Sequence, residues 1–469
     1  MVVSSVQFVF VFLPLALAVY YLVPRAAKNA VLALFSLLFC VWGGVRYAAL
    51  MTGFAAVNFV FGLLLNRAPD SAKKPMMAAA VALDLIPLAF FKYAGFFAAG
   101  VNVLLPGALP VLRLALPLGI SFYTFQGISY CVDVARGKYP PTRNPLRFYL
   151  FLCFFAHAGS GPIVRWDQQA GALDPANRVL SAPRFCCGAK RFIYGLAKKT
   201  ILADQLALLY NSVTSVSAAE LPGCILFVGY LAFTLQLYFD FSGYSDMALG
   251  LGELFGLPLP ENFNYPYLAR SIGEYWRRWH MTLSGWFRDY VYIPLGGSRR
   301  GLARTCLNLL VVFTLTGLWH GAAWQYVVFG LYQGLLLCGE RLCWGKPLQK
   351  APAWCGHLYT VVTLYIGLVV FAAPGLNAGL LALRGIFTWQ TGAPGYTLQA
   401  FLPPKLLLLL LAGILLCGPL QALLPRLRAQ LHSREVPRLP EMIFLLVLLF
   451  FSVMRLTAGN YSAFIYAQF

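Results

Sequence analysis

Two histidines stand where this sequence could best support catalysis. His320 closes an almost uncharged stretch, CLNLLVVFTLTGLWHGAAW (Cys306 to Trp324), between Trp319 and Gly321. An ionisable side chain near or inside a bilayer is costly, so its default reading is functional, facing a cavity or a partner. A histidine hydrogen-bonded to a neighbouring helix, or placed at the interface, is the competing reading. Imidazole, with an ordinary pKa near about 6.5, takes a proton at neutral pH and returns one to a leaving group, which suits acylation of a hydroxyl. His280 lies in the most polar part of the chain, Asp240 to Arg304, with Asp246, Asn262, Asn264, Glu274, Arg277, Arg278, Arg288 and Asp289. His157, His357 and His432 stand in less polar or loop contexts and read as structural. The sequence has no GxSxG elbow, no HExxH, no Walker loop and no GxGxxG before a helix, so the usual soluble hydrolase, zinc and nucleotide chemistries lack their carriers.

The segment around His280, SIGEYWRRWHMTLSGWFRDYVYIPLGG (Ser271 to Gly297), reads as one or two short amphipathic helices broken near Gly285. At a period of 3.6, Trp276, Trp279 or His280, Leu283, Phe287 and Tyr290 share a face, while Glu274, Arg277, Arg278 and Arg288 gather on the other side. An interfacial helix with an aromatic belt and snorkelling arginines fits this spacing, and so does a polar shell around a site.

The elements that must hold these residues are membrane helices. The chain has 469 residues, 60% hydrophobic and 11% charged, with a mean hydropathy of +0.70. Its apolar stretches run to about 17 to 25 residues, the length that crosses a hydrocarbon core roughly 30 Å thick. Backbone amides facing lipid must be satisfied within their own segment, so the expected fold is all-α, a polytopic transmembrane bundle. A β-barrel is excluded because runs such as Leu406 to Leu411 show no alternation of polarity. The eleven cysteines are scattered without CxxC or metal-ligand spacing and read as small buried hydrophobes. A net charge of +20 sits in short connections between apolar spans, which reports membrane topology rather than nucleic-acid binding.

Hydropathy read against Lys and Arg places spans near 5–24, 29–44, 48–65, 76–99, 115–135, 222–240, 306–322, 325–341, 357–373, 404–424 and 441–457. Arg25, Lys28, Arg67, Lys73 and Lys74 mark cytoplasmic turns, so the N-terminus is expected outside the cell membrane. The first stretch, from Val6 to Val23, lacks a basic flank and a cleavage site and reads as a retained helix. Residues 148–164, broken by GSGP (Gly159 to Pro162), have basic regions on both flanks and are expected to enter and return, which points to a central cavity. The sum is about eleven membrane-associated helices, some re-entrant, around a funnel or tunnel. The whole chain, 1–469, reads as one transmembrane domain with a catalytic core at about 115–345.

At these residues the sequence resembles the membrane-bound O-acyltransferases, and within them the bacterial alginate O-acetyltransferase subunit I group. The likeness lies in SFYTFQGISYCVDVARG (Ser121 to Gly137), GPIVRW (Gly161 to Trp166), YFDFSGYSDMALGLGELFG (Tyr238 to Gly256) and NFNYPYLARSIGEYWRRWHMTLSGWFRDYVYIPLGG (Asn262 to Gly297). It continues through LTGLWHGAAW (Leu315 to Trp324) to FIYAQF (Phe464 to Phe469). The chain departs from the family pattern at Ala156 and His157, where Pro-Gln is usual, and at Ala467, where an aromatic is usual.

The resemblance implies that His320 is the catalytic histidine and His280 the second motif histidine. It implies no permanently bound cofactor, and a thioester donor, acetyl-CoA or an acylated carrier, presented from the cytoplasm of a bacterium. The acyl group then leaves through the inner membrane toward an extracytoplasmic polysaccharide, often by way of an SGNH-type acetyltransferase or another relay protein. Arg277, Arg278, Trp279 and Trp319 are the expected donor-binding residues; Arg299 and Arg300 extend the cluster, and positive-inside anchoring is the alternative for any one arginine. His280 is expected to orient the donor or to hydrogen-bond the developing oxyanion. Two other functions are weighed: D-alanyl transfer to teichoic acid, which depends on a D-alanyl carrier protein, and a transporter or flippase, for which no inverted repeat is visible.

Overall fold

The computed structural model describes residues 2–112, 114–424, 436–459 and 464. Among the described residues every regular element is helical. Seven helices among the described residues are long and apolar enough to cross a membrane: Arg25–Trp42, Val45–Arg67, Asp70–Leu104, Gly223–Leu254, Leu302–His320, Ala353–Ala372 and Leu439–Thr457. Phe8–Leu22, Leu376–Phe387 and Pro404–Leu416 are apolar but shorter. The expected spans at 115–135 and 325–341 are the 16-residue helices Ile120–Ala135 and Trp324–Gly339. The first covers only about 24 Å at the α-helical rise, whereas the second runs on through the π-helical Glu340–Trp344 into Gly345–Lys350.

Residues 148–164 are helical only over Pro145–Cys153, and the chain then runs buried and non-helical to Arg165. Asn144 starts that helix by accepting from the Leu146 and Arg147 amides, with Pro145 at the first helical position. In the GSGP turn Gly161 lies against His157, where a Cβ would stand 2.7 Å from that of the histidine. His157 is fully buried, with Nδ1 3.4 Å from Gln126 Nε2.

The chain divides into two compact units. The first comprises Met1–Tyr194, Tyr244–Glu261 and Arg434–Leu445. Its core is aromatic: Phe155 meets Phe12 edge-on at 5.3 Å and Phe255 at 5.5 Å. Two arginines tie its elements together. Arg178 donates to Ala172 O, Tyr20 Oη and Asn29 Oδ1, and Arg191 donates to the carboxylates of Asp246 and Glu261.

The second unit comprises Gly195–Gly243, Asn262–Ser433 and Leu446–Phe469 and contains both motif histidines. Its scaffold begins with an antiparallel hairpin, Leu302–His320 followed by Trp324–Gly339. Glycines let the two backbones meet: a Cβ on Gly317 would collide with Tyr326 O, and one on Gly330 with Phe313 O. Gly317→Val is therefore expected to lower stability by about 1–3 kcal/mol, the usual penalty for overpacking. The check is thermal unfolding of the detergent-solubilised protein beside Gly53→Val, whose Cβ position is open. The Ala353–Ala372 helix packs on the hairpin through Tyr332, which donates to Thr363 O, and through Gly367, set against Tyr332 and Gln333.

Elsewhere in this unit Lys199, on the π-helical turn Lys198–Ala203, reaches Asp204 and Asp240 at 2.8 Å each, with all three side chains buried. The next residue after Asp240 on the Gly223–Leu254 helix, Phe241, is a wall of the candidate site.

Candidate active site

His320 is the last residue of its helix. The chain leaves through Gly321, on which a Cβ would collide with the Tyr326 ring, so the turn into the next helix packs flush under that tyrosine. His320 is 3% exposed and enclosed by rings: Trp319 at 5.0 Å, Phe371 at 5.2 Å and Phe329 at 6.3 Å between centroids. Trp319 also lies 5.6 Å from the His280 ring, so one indole contacts both imidazoles.

His280 is placed by a break in the chain. Ile272–Arg278 and Met281–Phe287 are two helices, and the break between them falls at Trp279 and His280, not near Gly285, which lies inside the second helix. His280 takes φ 42°, an uncommon left-handed conformation for a residue with a side chain. Asn262 holds it there: its carbonyl oxygen accepts from Met281 N, and its side-chain Oδ1 lies 3.1 Å from His280 Nδ1 and accepts from Thr282 N and Oγ1. That oxygen has only acceptor capacity, so His280 Nδ1 is the donor and a neutral ring carries its lone pair on Nε2. As an oxyanion donor His280 would have to be protonated; as a neutral group it can accept a proton or a hydrogen bond. Phe241 closes the far side of the ring at 4.7 Å and Phe464 packs on Phe241. Phe464 is the described residue of the terminal FIYAQF; Ala467 lies outside the described residues, as does His432.

The first of the two helices is anchored at its start. Ser271 Oγ accepts from Glu274 N, and the Glu340 carboxylate accepts from the Ile272 and Gly273 amides at 2.5 and 3.0 Å. Burial pushes the Glu274 carboxyl up, but the Arg270 amide and the Arg278 guanidinium together hold it below its ordinary value.

Two adjoining cavities open beside this helix. The larger one, about 600 Å³, is lined by Arg270, Arg277 and Arg341 with Glu274, Glu340 and Gln349. The smaller one, about 270 Å³, is lined by Trp276, Leu283, Phe287, Val312, Phe313 and Thr316 together with Ser284, Arg288 and Tyr292. Gly273, Arg277, Leu309, Leu337 and Arg341 line both. Thr316 lies one helical turn before His320, about 6 Å along the axis.

The expected donor-binding residues separate in space. Arg277 lines both cavities. Arg278 is occupied by Glu274 and Asn264 O, Trp279 is buried among Phe263, Tyr275 and Tyr238, and Trp319 lies against the histidines. Sequence reasoning missed Arg270, Arg341, Glu340 and Phe371. Thr316, four residues before His320 and a lining residue of the smaller cavity, is a neighbour that helical period alone could have supplied. His357 has Nδ1 3.4 Å from Ala269 O.

Comparison with known proteins gives the family. Residues 144–346 match the family model described as MBOAT, membrane-bound O-acyltransferase family. The chain is 34% identical to the "Probable alginate O-acetylase AlgI" of Azotobacter vinelandii over the whole of both proteins. It is 39% identical to the Pseudomonas aeruginosa protein of the same description, over 83% of this chain and 76% of that one. It is 33% identical to the "Peptidoglycan O-acetyltransferase" of Helicobacter pylori, over 81% of this chain and 78% of that one. A multi-pass helical chain with two histidines against one tryptophan, and with full-length likeness of this order, belongs to the membrane-bound O-acyltransferase family and is an O-acyltransferase.

Proposed function

We propose that the chain moves an acetyl group from a cytoplasmic thioester toward a hydroxyl on the far side of the bacterial inner membrane. One observation supports this reading above the others: His320 is buried one helical turn beyond Thr316, which lines a mainly apolar cavity adjoining one that carries three arginines. Arginines suit the phosphates of coenzyme A or of a carrier's phosphopantetheine, and the apolar cavity suits the arm behind them. From Leu309, which lines both cavities, to His320 the helix rises about 16 Å, a span within reach of an extended pantetheine arm. By the positive-inside rule the basic connection around Arg299, Arg300 and Arg304 supports an arginine end on the cytoplasmic side, and the turns at Arg25, Lys28, Arg67, Lys73 and Lys74 support an N-terminus outside.

In the reaction His320 takes the proton of the acceptor hydroxyl as its oxygen bonds to the thioester carbonyl carbon. The carbon–sulfur bond then breaks, and the thiolate takes that proton from the imidazolium. Positioning of donor and acceptor supplies much of the remaining acceleration. The named relatives act on alginate and peptidoglycan, so the acceptor is an envelope glycan or the hydroxyl of an SGNH-type relay protein. An acyl carrier protein is the alternative source of the thioester.

The test is transfer of label from acetyl-CoA supplied on one face of proteoliposomes holding the full chain. Label should leave coenzyme A when the donor meets the arginine-bearing face. Indifference to acetyl-CoA with turnover of a D-alanyl carrier thioester would instead support D-alanyl transfer. In the same assay Arg277→Gln and Arg341→Gln are expected to raise KM for acetyl-CoA about tenfold each, as loss of a charge-assisted hydrogen bond of roughly 1.5 kcal/mol implies, with kcat little changed. An unchanged KM in both variants would remove the arginines from donor binding.

A further inference from the structure

The imidazole of His320 stands against a layer of aromatic rings that the reaction scheme does not use. Phe371 meets it edge-on at 88°, and Phe371 lies 5.0 Å from both Phe329 and Tyr326. Phe371 is 2% exposed and Phe329 5%. The layer comes from helices that also line the arginine-bearing cavities. Leu309 and His320 lie on one helix, Leu337 and Phe329 on the next, and Gly356 and Phe371 on the third; Leu309, Leu337 and Gly356 line the larger cavity. Counted along these helices from the arginines, the rings lie at the level of His320, one turn beyond Thr316, the last cavity-lining residue on its helix, so they face the place where the acyl methyl of a donor held phosphate end last at the arginines would arrive.

We propose that Phe371, backed by Phe329 and Tyr326, is the specificity-determining residue that restricts the transferred acyl group to two carbons. The inference rests on the donor reading above. Close-packed rings do not yield the space of a methylene without strain. In a shaped apolar pocket one methylene discriminates between substrates by about 10- to 200-fold. A group substituted at the carbon next to the carbonyl, such as D-alanyl, meets the same obstruction. The ring does not take part in the bond changes; it sets which acyl group reaches the carbonyl position beside His320.

The experiment gives the full-length protein in proteoliposomes acetyl-, propionyl- and butyryl-CoA in turn, with an alginate oligomer as probe acceptor, and reads kcat/KM from release of free coenzyme A. Wild type should fall at least about tenfold from acetyl to butyryl. Phe371→Ala and the milder Phe371→Leu should raise the butyryl-to-acetyl ratio by the same order while membrane abundance is retained. A flat wild-type series, or an unchanged ratio in a variant that reaches the membrane, overturns the ruler and leaves the donor reading standing. Absence of release from acetyl-CoA by the wild type overturns the donor reading itself. A flat wild-type series overturns the ruler even where neither variant accumulates.

Discussion

His320→Ala is expected to reduce acyl transfer by about 10²- to 10⁴-fold, the usual contribution of a positioned general base, while the protein still inserts and accumulates. The expectation follows from where the ring sits. His320 is at a helix end, the following turn is held by Gly321 under Tyr326, and the helix is fixed to its neighbour at Gly317 and Gly330, so removing the imidazole leaves the scaffold contacts in place. The aromatic cage loses one member, and a vacated ring volume lowers stability. For that reason His320→Asn, closer in size and polarity but unable to act as a base at neutral pH, accompanies the alanine variant. Membrane abundance and thermal unfolding report the fold, and label released from acetyl-CoA reports the chemistry. Wild-type turnover in either variant would remove the central role assigned to this residue.

The largest effect on stability is expected at Lys199. Its ammonium lies between the carboxylates of Asp204 and Asp240, and all three are at least 96% buried. Lys199→Met would leave two carboxylates facing each other without the cation that brings them together. Breaking a buried ion pair from one side typically destabilises by about 3–5 kcal/mol. Replacing all three with uncharged residues of similar volume, Lys199→Met with Asp204→Asn and Asp240→Asn, should recover most of that loss, because the charges then leave together. Thermal midpoints of the single and triple variants in detergent decide the point; a single variant as stable as wild type would mean the carboxylates are neutralised without Lys199. Asp240 precedes Phe241, the ring closing the far side of His280, so the single variant should also lose activity in proportion to the disorder it introduces there.

The comparison of sequence and structure is most instructive around His280. The helical period groups Trp276, Leu283, Phe287 and Tyr290 on one face; the first three are buried and Tyr290 is half-buried, but Trp276 lies on a different helix from the others, because the break falls before Gly285, the residue that local helix propensity disfavours. The observed break at Trp279 and His280 is set by Asn262, eighteen residues earlier, whose oxygens accept hydrogen bonds from the histidine ring, the Thr282 amide and hydroxyl, and the Met281 amide. No local propensity contains that information. The arginines behave alike: Arg277 and Arg278 are adjacent in sequence, yet the first lines two cavities and the second is consumed by Glu274, because neighbours on a helix point about 100° apart and meet different surroundings.

The sequence by itself determined that this chain is a bundle of membrane helices with an imidazole at the end of an oily span, because hydropathy, helical period and the cost of an ionisable group in lipid are properties of neighbouring residues. Only the tertiary structure decided what surrounds that imidazole. Phe371, fifty-one positions beyond His320, and Arg341, twenty-one beyond it, take their places through the packing of three helices. Contacts at such separations depend on how whole helices meet, which glycines such as Gly317, Gly330 and Gly367 permit and no single stretch of sequence specifies.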